Sequence, residues 1–151
     1  MPIIETTGDI FRSGCDALVC PVNCEGVMGA GLAKVFKREY PKFYEYYKAQ
    51  CAVGLLNVPT RPVIVYYDYL GAVTLIALAT KDTWRDPSKY EYVEKGIKEL
   101  AKAIIYHKLE SVAIPALGCG LGTLDWSKVK QIITSGLENL QVEIKLYAPI
   151  N

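Results

Sequence analysis

Two glycine-rich segments constrain this chain more than anything else in it: CEGVMGAGL at residues 24–32 and LGCGLGT at residues 117–123. Each follows a short apolar run and precedes a stretch with helical periodicity, so each is a strand-to-helix junction. Glycine takes turn conformations closed to other residues and lets backbone N–H groups approach an anion closely. Such a junction is either a plain tight turn or a cradle for phosphate oxygens, and two in one chain favour a diphosphate. Neither GxxxxGK[ST] nor a full GxGxxG occurs, which disfavours the ordinary nucleotide-binding folds.

The rest of the chain alternates in the same way. Ile3–Thr6 and Ala17–Val22 are short β-rich runs bounded by turn residues. Leu32, Val35 and Phe36 then share a helical face, a break falls before Pro41, and a second helix places Phe43, Tyr47 and Cys51 along one side. Residues 63–67 and Val73–Ala79 are strands separated by four residues, as a hairpin or as neighbours, and the loop TKDTWRDPSK follows. Val93, Ile97, Leu100, Ala101 and Ile104 mark the clearest helix, over 90–107. Residues 112–115 form a buried strand that runs into the second glycine segment. A last long helix carries Val129, Ile132, Ile133, Leu137 and Leu140, and a strand over 142–147 closes the chain. This order predicts an α/β fold with helices on both faces of one sheet and ligands at the carboxyl ends of its strands. No repeat or linker divides residues 1–151, so one domain is expected.

Composition narrows the function classes. With 51% hydrophobic and 22% charged residues, the chain can bury a core and is not disordered. Its 17 Lys and Arg balance 16 Asp and Glu, so any nucleic-acid contact must be local. No run approaches the roughly 20 apolar residues of a membrane span, and MPIIETTGDI lacks signal-peptide features; a cytoplasmic protein without membrane contact is expected. Five cysteines without a CxxC pair, and His107 as the one histidine, argue against disulfides and zinc, so neither a metal nor an organic cofactor is expected. Cys119 lies between glycines but has no evident general base, which makes it structural rather than nucleophilic.

The order of motifs adds a resemblance. GDI at 8–10, PVN at 21–23, GVMGAGLA at 26–33 and IPALGCGLG at 114–122 together resemble a macro domain, a three-layer α/β/α fold with a central mixed sheet. TKDTWRDPSKYEYVEKGIKEL at 80–100 is similar to the branch containing terminal ADP-ribose protein glycohydrolase and the DNA ADP-ribosyl glycohydrolase antitoxins. The resemblance implies ADP-ribose as ligand. Asp9 would accept from the adenine amino group, with Gly8 and Ile10 beside it, and Tyr147 would stack on the ring. Asn23 would face the distal ribose and share in catalysis. Met28, Gly29, Ala30, Gly31 and Leu32 would wrap that ribose and its phosphate. Pro115, Ala116, Leu117, Gly118, Cys119, Gly120, Leu121 and Gly122 would hold the diphosphate.

Thr80 and Lys81 end a central strand; the resemblance places Thr80 among the ADP-ribose contacts and makes Lys81 catalytic. Lysine there can attack the anomeric carbon as a free amine, or as a cation deliver a proton or stabilise charge. Gly122 departs from the protein-directed pattern, where an aspartate stands; Asp125 comes three residues later, as a helix cap. That departure favours ADP-ribose on thymine in single-stranded DNA. Trp84 and Arg85 are suited to stacking on an unpaired base and touching a phosphate, or alternatively Trp84 closes the loop over the core. The expected protein is a monomeric ADP-ribosyl glycohydrolase acting on ADP-ribosylated DNA. The rivals are a non-catalytic ADP-ribose-binding module, an ADP-ribose 1″-phosphate phosphatase and a glutamate-linked protein hydrolase. The antitoxins carry a further C-terminal region and this sequence stops after its last strand, so a standalone enzyme is expected.

Overall fold

Ala17–Val22 and Val73–Ala79 are apolar at successive rather than alternate positions, the mark of strands covered on both faces, and both lie inside the sheet. The computed structural model describes residues 3–149. Its strands are β1 (Ile3–Thr6), β2 (Ala17–Val22), β3 (Val63–Asp68), β4 (Val73–Ala79), β5 (Ser111–Ile114) and β6 (Glu143–Tyr147). Its helices are α1 (Gly31–Glu39), α2 (Pro41–Ala52), α3 (Tyr90–Tyr106) and α4 (Trp126–Leu137), with a single 3-10 turn at Ile10–Arg12. The strands form one six-stranded sheet in the order β1-β6-β5-β2-β4-β3. All neighbours are parallel except β3, which pairs antiparallel with β4 at one edge, so the sheet is mixed.

Alternation within the central strands divides the core between two helix layers. Leu18, Cys20 and Val22 of β2 pack with Phe36 of α1 and with Phe43 and Tyr47 of α2. Ala17 and Val19 pack on the other face with Val93, Ile97 and Leu100 of α3 and with Val129 and Ile133 of α4. The result is the expected three-layer arrangement. Pro41 opens α2 at its first turn, where the missing N–H costs nothing, and so separates it from α1. Asp125 caps α4, accepting from the Lys128 N–H at 3.3 Å.

Several ends shift by a single residue, as at β3, α3, β5 and β6, and two larger differences stand out. The last helix stops at Leu137, and Leu140 reaches the core from a following turn closed by its N–H on the Leu137 carbonyl at 3.0 Å. The apolar spacing continued past the helix because the turn keeps the same face inward. The Ile10–Arg12 turn was not anticipated, since three residues are too few to show a period. The segment between β3 and β4 is a hairpin, with the Asp68 carboxylate accepting from the Gly71 N–H at 2.7 Å. No helix among the described residues is long and apolar enough to cross a membrane.

Candidate functional site

Because β1, β2, β4, β5 and β6 run the same way, the loops after the first four and the residues after β6 reach one edge of the sheet. At the β1 end, Gly8 takes φ +112°, and Asp9 caps the 3-10 turn by accepting from the Phe11 N–H at 2.9 Å. Asp9 is exposed, whereas the Ile10 side chain is buried, so Ile10 offers only its backbone to a ligand. Tyr147 pairs in register with Thr6. Burial, then the Cys15 thiol and the Asp9 carboxylate, push its phenol above the ordinary value. Asp9 and Tyr147 therefore meet at one end of the edge.

Asn23 follows β2 directly and is 7% exposed. Its Nδ2 donates to the Val27 carbonyl at 2.9 Å, and its Oδ1 accepts from the Glu25 N–H at 3.0 Å. The Tyr47 hydroxyl of α2 reaches both Oδ1 and the Asn23 carbonyl at 2.8 Å. Tyr47 is fully buried, which raises its phenol further. The carboxamide of Asn23 thus organises its own loop. Met28 is also buried, so here too the loop presents backbone rather than side chain. Gly29, Ala30 and Gly31 are exposed, and Ala30 begins α1 without a side-chain cap, leaving first-turn N–H groups open to an acceptor.

The second glycine loop is closed by Cys119 N–H on Ala116 O at 3.1 Å, Thr123 N–H on Gly120 O at 3.2 Å and Leu124 N–H on Gly118 O at 2.8 Å. Gly118 adopts φ +73°, which glycine alone takes without strain. Pro115, Leu117, Gly118 and Gly122 are buried, Ala116 and Cys119 half-buried, and Gly120 and Leu121 exposed. Leu121 leans toward the first loop, its Cδ1 3.7 Å from where a Cβ on Gly31 would sit. Burial, then the Asp125 carboxylate, push the Cys119 thiol up to about 11. At neutral pH it is a thiol that reaches the Leu117 carbonyl at 3.5 Å, and not a nucleophile.

The loop after β4 is bonded to both of these. Thr80, 2% exposed, donates its N–H to Val22 O at 3.0 Å and accepts from Ser88 Oγ on its Oγ1 at 3.3 Å, so its side chain faces inward. The Asp82 carbonyl accepts from Cys24 N–H at 2.9 Å, and the Glu25 carboxylate accepts from Trp84 N–H at 2.8 Å. On the other side, Ser88 N–H donates to Gly122 O at 3.1 Å. Lys81 is half-buried at this junction, and its amine has no hydrogen-bond or ion-pair partner among the described residues. Trp84 is 51% exposed, with the Arg85 guanidinium 4.9 Å from its ring, so it does not close over the core.

The sequence marks Tyr47 only as a residue of its helix's inner side and gives Glu25 and Ser88 no role, because their partners come from distant segments. Among the described residues no group of three His, Cys, Asp or Glu side chains converges as a metal site, and all five cysteines are free. His107 caps the C-terminus of α3, at the opposite edge of the sheet.

A three-layer α/β/α fold with two glycine loops and a strand-end lysine at the carboxyl edge defines a narrow class of ligand-binding domain. Residues 19–133 match the family model for the macro domain, and the chain belongs to that family. It is 38% identical over 144 residues to the DNA ADP-ribosyl glycohydrolase of Mycobacterium tuberculosis, a match covering 95% of this chain and 41% of that protein. The chain thus spans about two fifths of the length of the curated relatives it matches first. It superposes on the macrodomain of Thermus aquaticus DarG with TM-score 0.92 at 38% identity, covering 98% of this chain and 99% of that one. Thermosipho africanus DarTG in complex with ADP-ribose gives TM-score 0.90 at 29% identity, over 97% of this chain and 41% of the other.

Proposed function

We propose that this macro domain binds ADP-ribose along the carboxyl edge of its sheet and hydrolyses the bond joining the distal ribose to thymine in single-stranded DNA, with Lys81 as the catalytic residue. The observation that carries the reading is the place of Lys81, half-buried in a loop tied to the first glycine segment through Asp82 and to the second through Ser88, with an amine that has no hydrogen-bond or ion-pair partner among the described residues. The relatives named DNA ADP-ribosyl glycohydrolase, and the ADP-ribose complex of Thermosipho africanus DarTG, support the ligand and the reaction class. Asp9 and Tyr147 take the adenine, the two loops take the diphosphate through backbone N–H groups, and Asn23 shapes the pocket for the distal ribose. The domain works as a monomer, without metal or organic cofactor.

In the reaction, water supplies oxygen to the anomeric carbon, the glycosidic bond breaks, and the base leaves with a proton. Lys81 serves as the proton donor to the base or as the first nucleophile on that carbon. Trp84 and Arg85 stand at the rim of the same loop, where an aromatic face and a guanidinium suit an unpaired base and its phosphate. Gly122 presents no carboxylate to the site, which supports a base rather than a glutamate as the released group.

The test is ADP-ribose release from a thymine-modified single-stranded oligonucleotide, beside a glutamate-modified protein, with wild type and Lys81→Ala. Release from DNA is expected to fall by about 10²-fold or more in the variant, with affinity for free ADP-ribose kept within a few-fold. Borohydride trapping of a covalent adduct distinguishes the nucleophilic from the proton-donor role. Cleavage of the protein adduct alone would sink the DNA assignment. Binding without cleavage of either substrate would leave a binding module, and phosphate release from ADP-ribose 1″-phosphate would indicate the phosphatase.

A further inference from the structure

We propose that Ser88 is a positioning residue that clamps the lysine loop to the second glycine loop and fills the space a side chain at position 122 would need. The proposal rests on the reading of Lys81 as the catalytic group. Ser88 is 5% exposed. Its Oγ meets Thr80 Oγ1 at 3.3 Å, and the N–H of the next residue, Lys89, donates to the Thr80 carbonyl at 3.3 Å. The two feet of the 81–87 loop are therefore joined through side chain and backbone together. The Ser88 N–H then ties that joint to Gly122 O at 3.1 Å, so one residue sets the lysine loop against the turn assigned to the diphosphate.

Packing makes the arrangement exclusive. A Cβ on Gly122 would fall on the Ser88 hydroxyl, 2.8 Å from Ser88 Cβ and 2.6 Å from the Gly118 carbonyl. A Cβ on Gly118 would lie 3.0 Å from Ser88 Cβ. Glycine at 122 has no left-handed φ to explain it, so what requires it is the Ser88 side chain together with the Gly118 carbonyl. Ser88 and a side chain at 122 compete for one volume, and this chain has filled it from the lysine loop. Removing the hydroxyl strips the buried Thr80 oxygen of its partner and leaves the loop feet joined by the backbone bond alone, and a displacement near 1 Å at a reacting group is enough to cost about 10²-fold in rate.

Two variants test this, Ser88→Ala and Thr80→Val, the second able to carry the experiment if the first does not fold. Each is expected to lower kcat on the ADP-ribosylated oligonucleotide at least tenfold, while the calorimetric Kd for free ADP-ribose moves less than threefold. Independently of turnover, amide exchange at Ser88 and Lys89 should accelerate, and the side-chain NMR signal of isotopically labelled Lys81 should shift. Wild type without any turnover would defeat the glycohydrolase reading alone, and the exchange and Lys81 signals would still decide the clamp. Unchanged exchange and an unchanged Lys81 signal overturn the proposal. So does a loss of kcat matched by equal losses of affinity and of thermal midpoint, which is what a purely structural serine would give.

Discussion

Asn23 stands at the end of β2 with every hydrogen-bonding atom of a carboxamide available, and Tyr47 decides how they are spent. By taking the Tyr47 hydroxyl on Oδ1 at 2.8 Å and giving Nδ2 to Val27, the side chain shapes the first glycine loop from within. A buried amide left with unpaired atoms would cost about 1–3 kcal/mol, so the loop and the tyrosine specify each other. Cys119 shows the same control by surroundings, because burial and Asp125 hold its thiol at about 11 against the ordinary 9.0. The folded chain thus keeps a proton that the unfolded chain gives up above pH 9. Its contribution to stability is whole below that pH and is lost as pH rises through 11. Cys24, pushed up to about 12 by burial first, acts in the same direction. Urea unfolding from pH 8 to 11 should therefore show wild type losing more stability than Cys119→Ala, and parallel losses would refute the assignment.

At the scale of elements, α3 illustrates how packing overrides intrinsic preference. Gly96 lies where α3 crosses β4, and a Cβ there would sit 2.5 Å from Leu78 Cδ2 and 2.7 Å from its Cγ. Alanine would gain about 1 kcal/mol of helix propensity, but overpacking a closed core costs about 1–3 kcal/mol. Leu78 is fully buried in a strand covered on both faces and has no free direction to move. Gly96→Ala is accordingly expected to lower the unfolding free energy by about 1–2 kcal/mol in urea titration. A gain near 1 kcal/mol would mean that Leu78 repacks without strain. The glycine loops follow the same logic: Gly118 answers to its left-handed φ, while Gly122 answers to the neighbouring serine and to the Gly118 carbonyl.

For the whole molecule, charge sets how a nucleic-acid substrate is held. The chain carries a formal +1, and at the mouth of the site Lys81 and Arg85 share the rim with Glu25, Asp82 and Asp86. Such a surface neutralises one or two phosphates, so log K against log salt for a single-stranded oligonucleotide should slope at about −0.7 to −1.4. Fluorescence anisotropy across a salt series measures it, and a slope of −4 would reveal a basic track elsewhere on the surface. Much of this architecture was legible in the chain. Val73–Ala79 and Ala17–Val22 stand where their apolar runs put them, and the glycine loops and Lys81 follow strands as their motifs implied. Periodicity and turn chemistry are local properties, read over a few neighbouring residues. Strand order, by contrast, is a matter of which distant segments pair, and it alone brought the ends of five strands to one edge. The Tyr47–Asn23 and Trp84–Glu25 bonds join residues 24 and 59 positions apart. The site's scaffold of contacts therefore belonged to the tertiary structure, because no local pattern records a partner that only the folded sheet brings within reach.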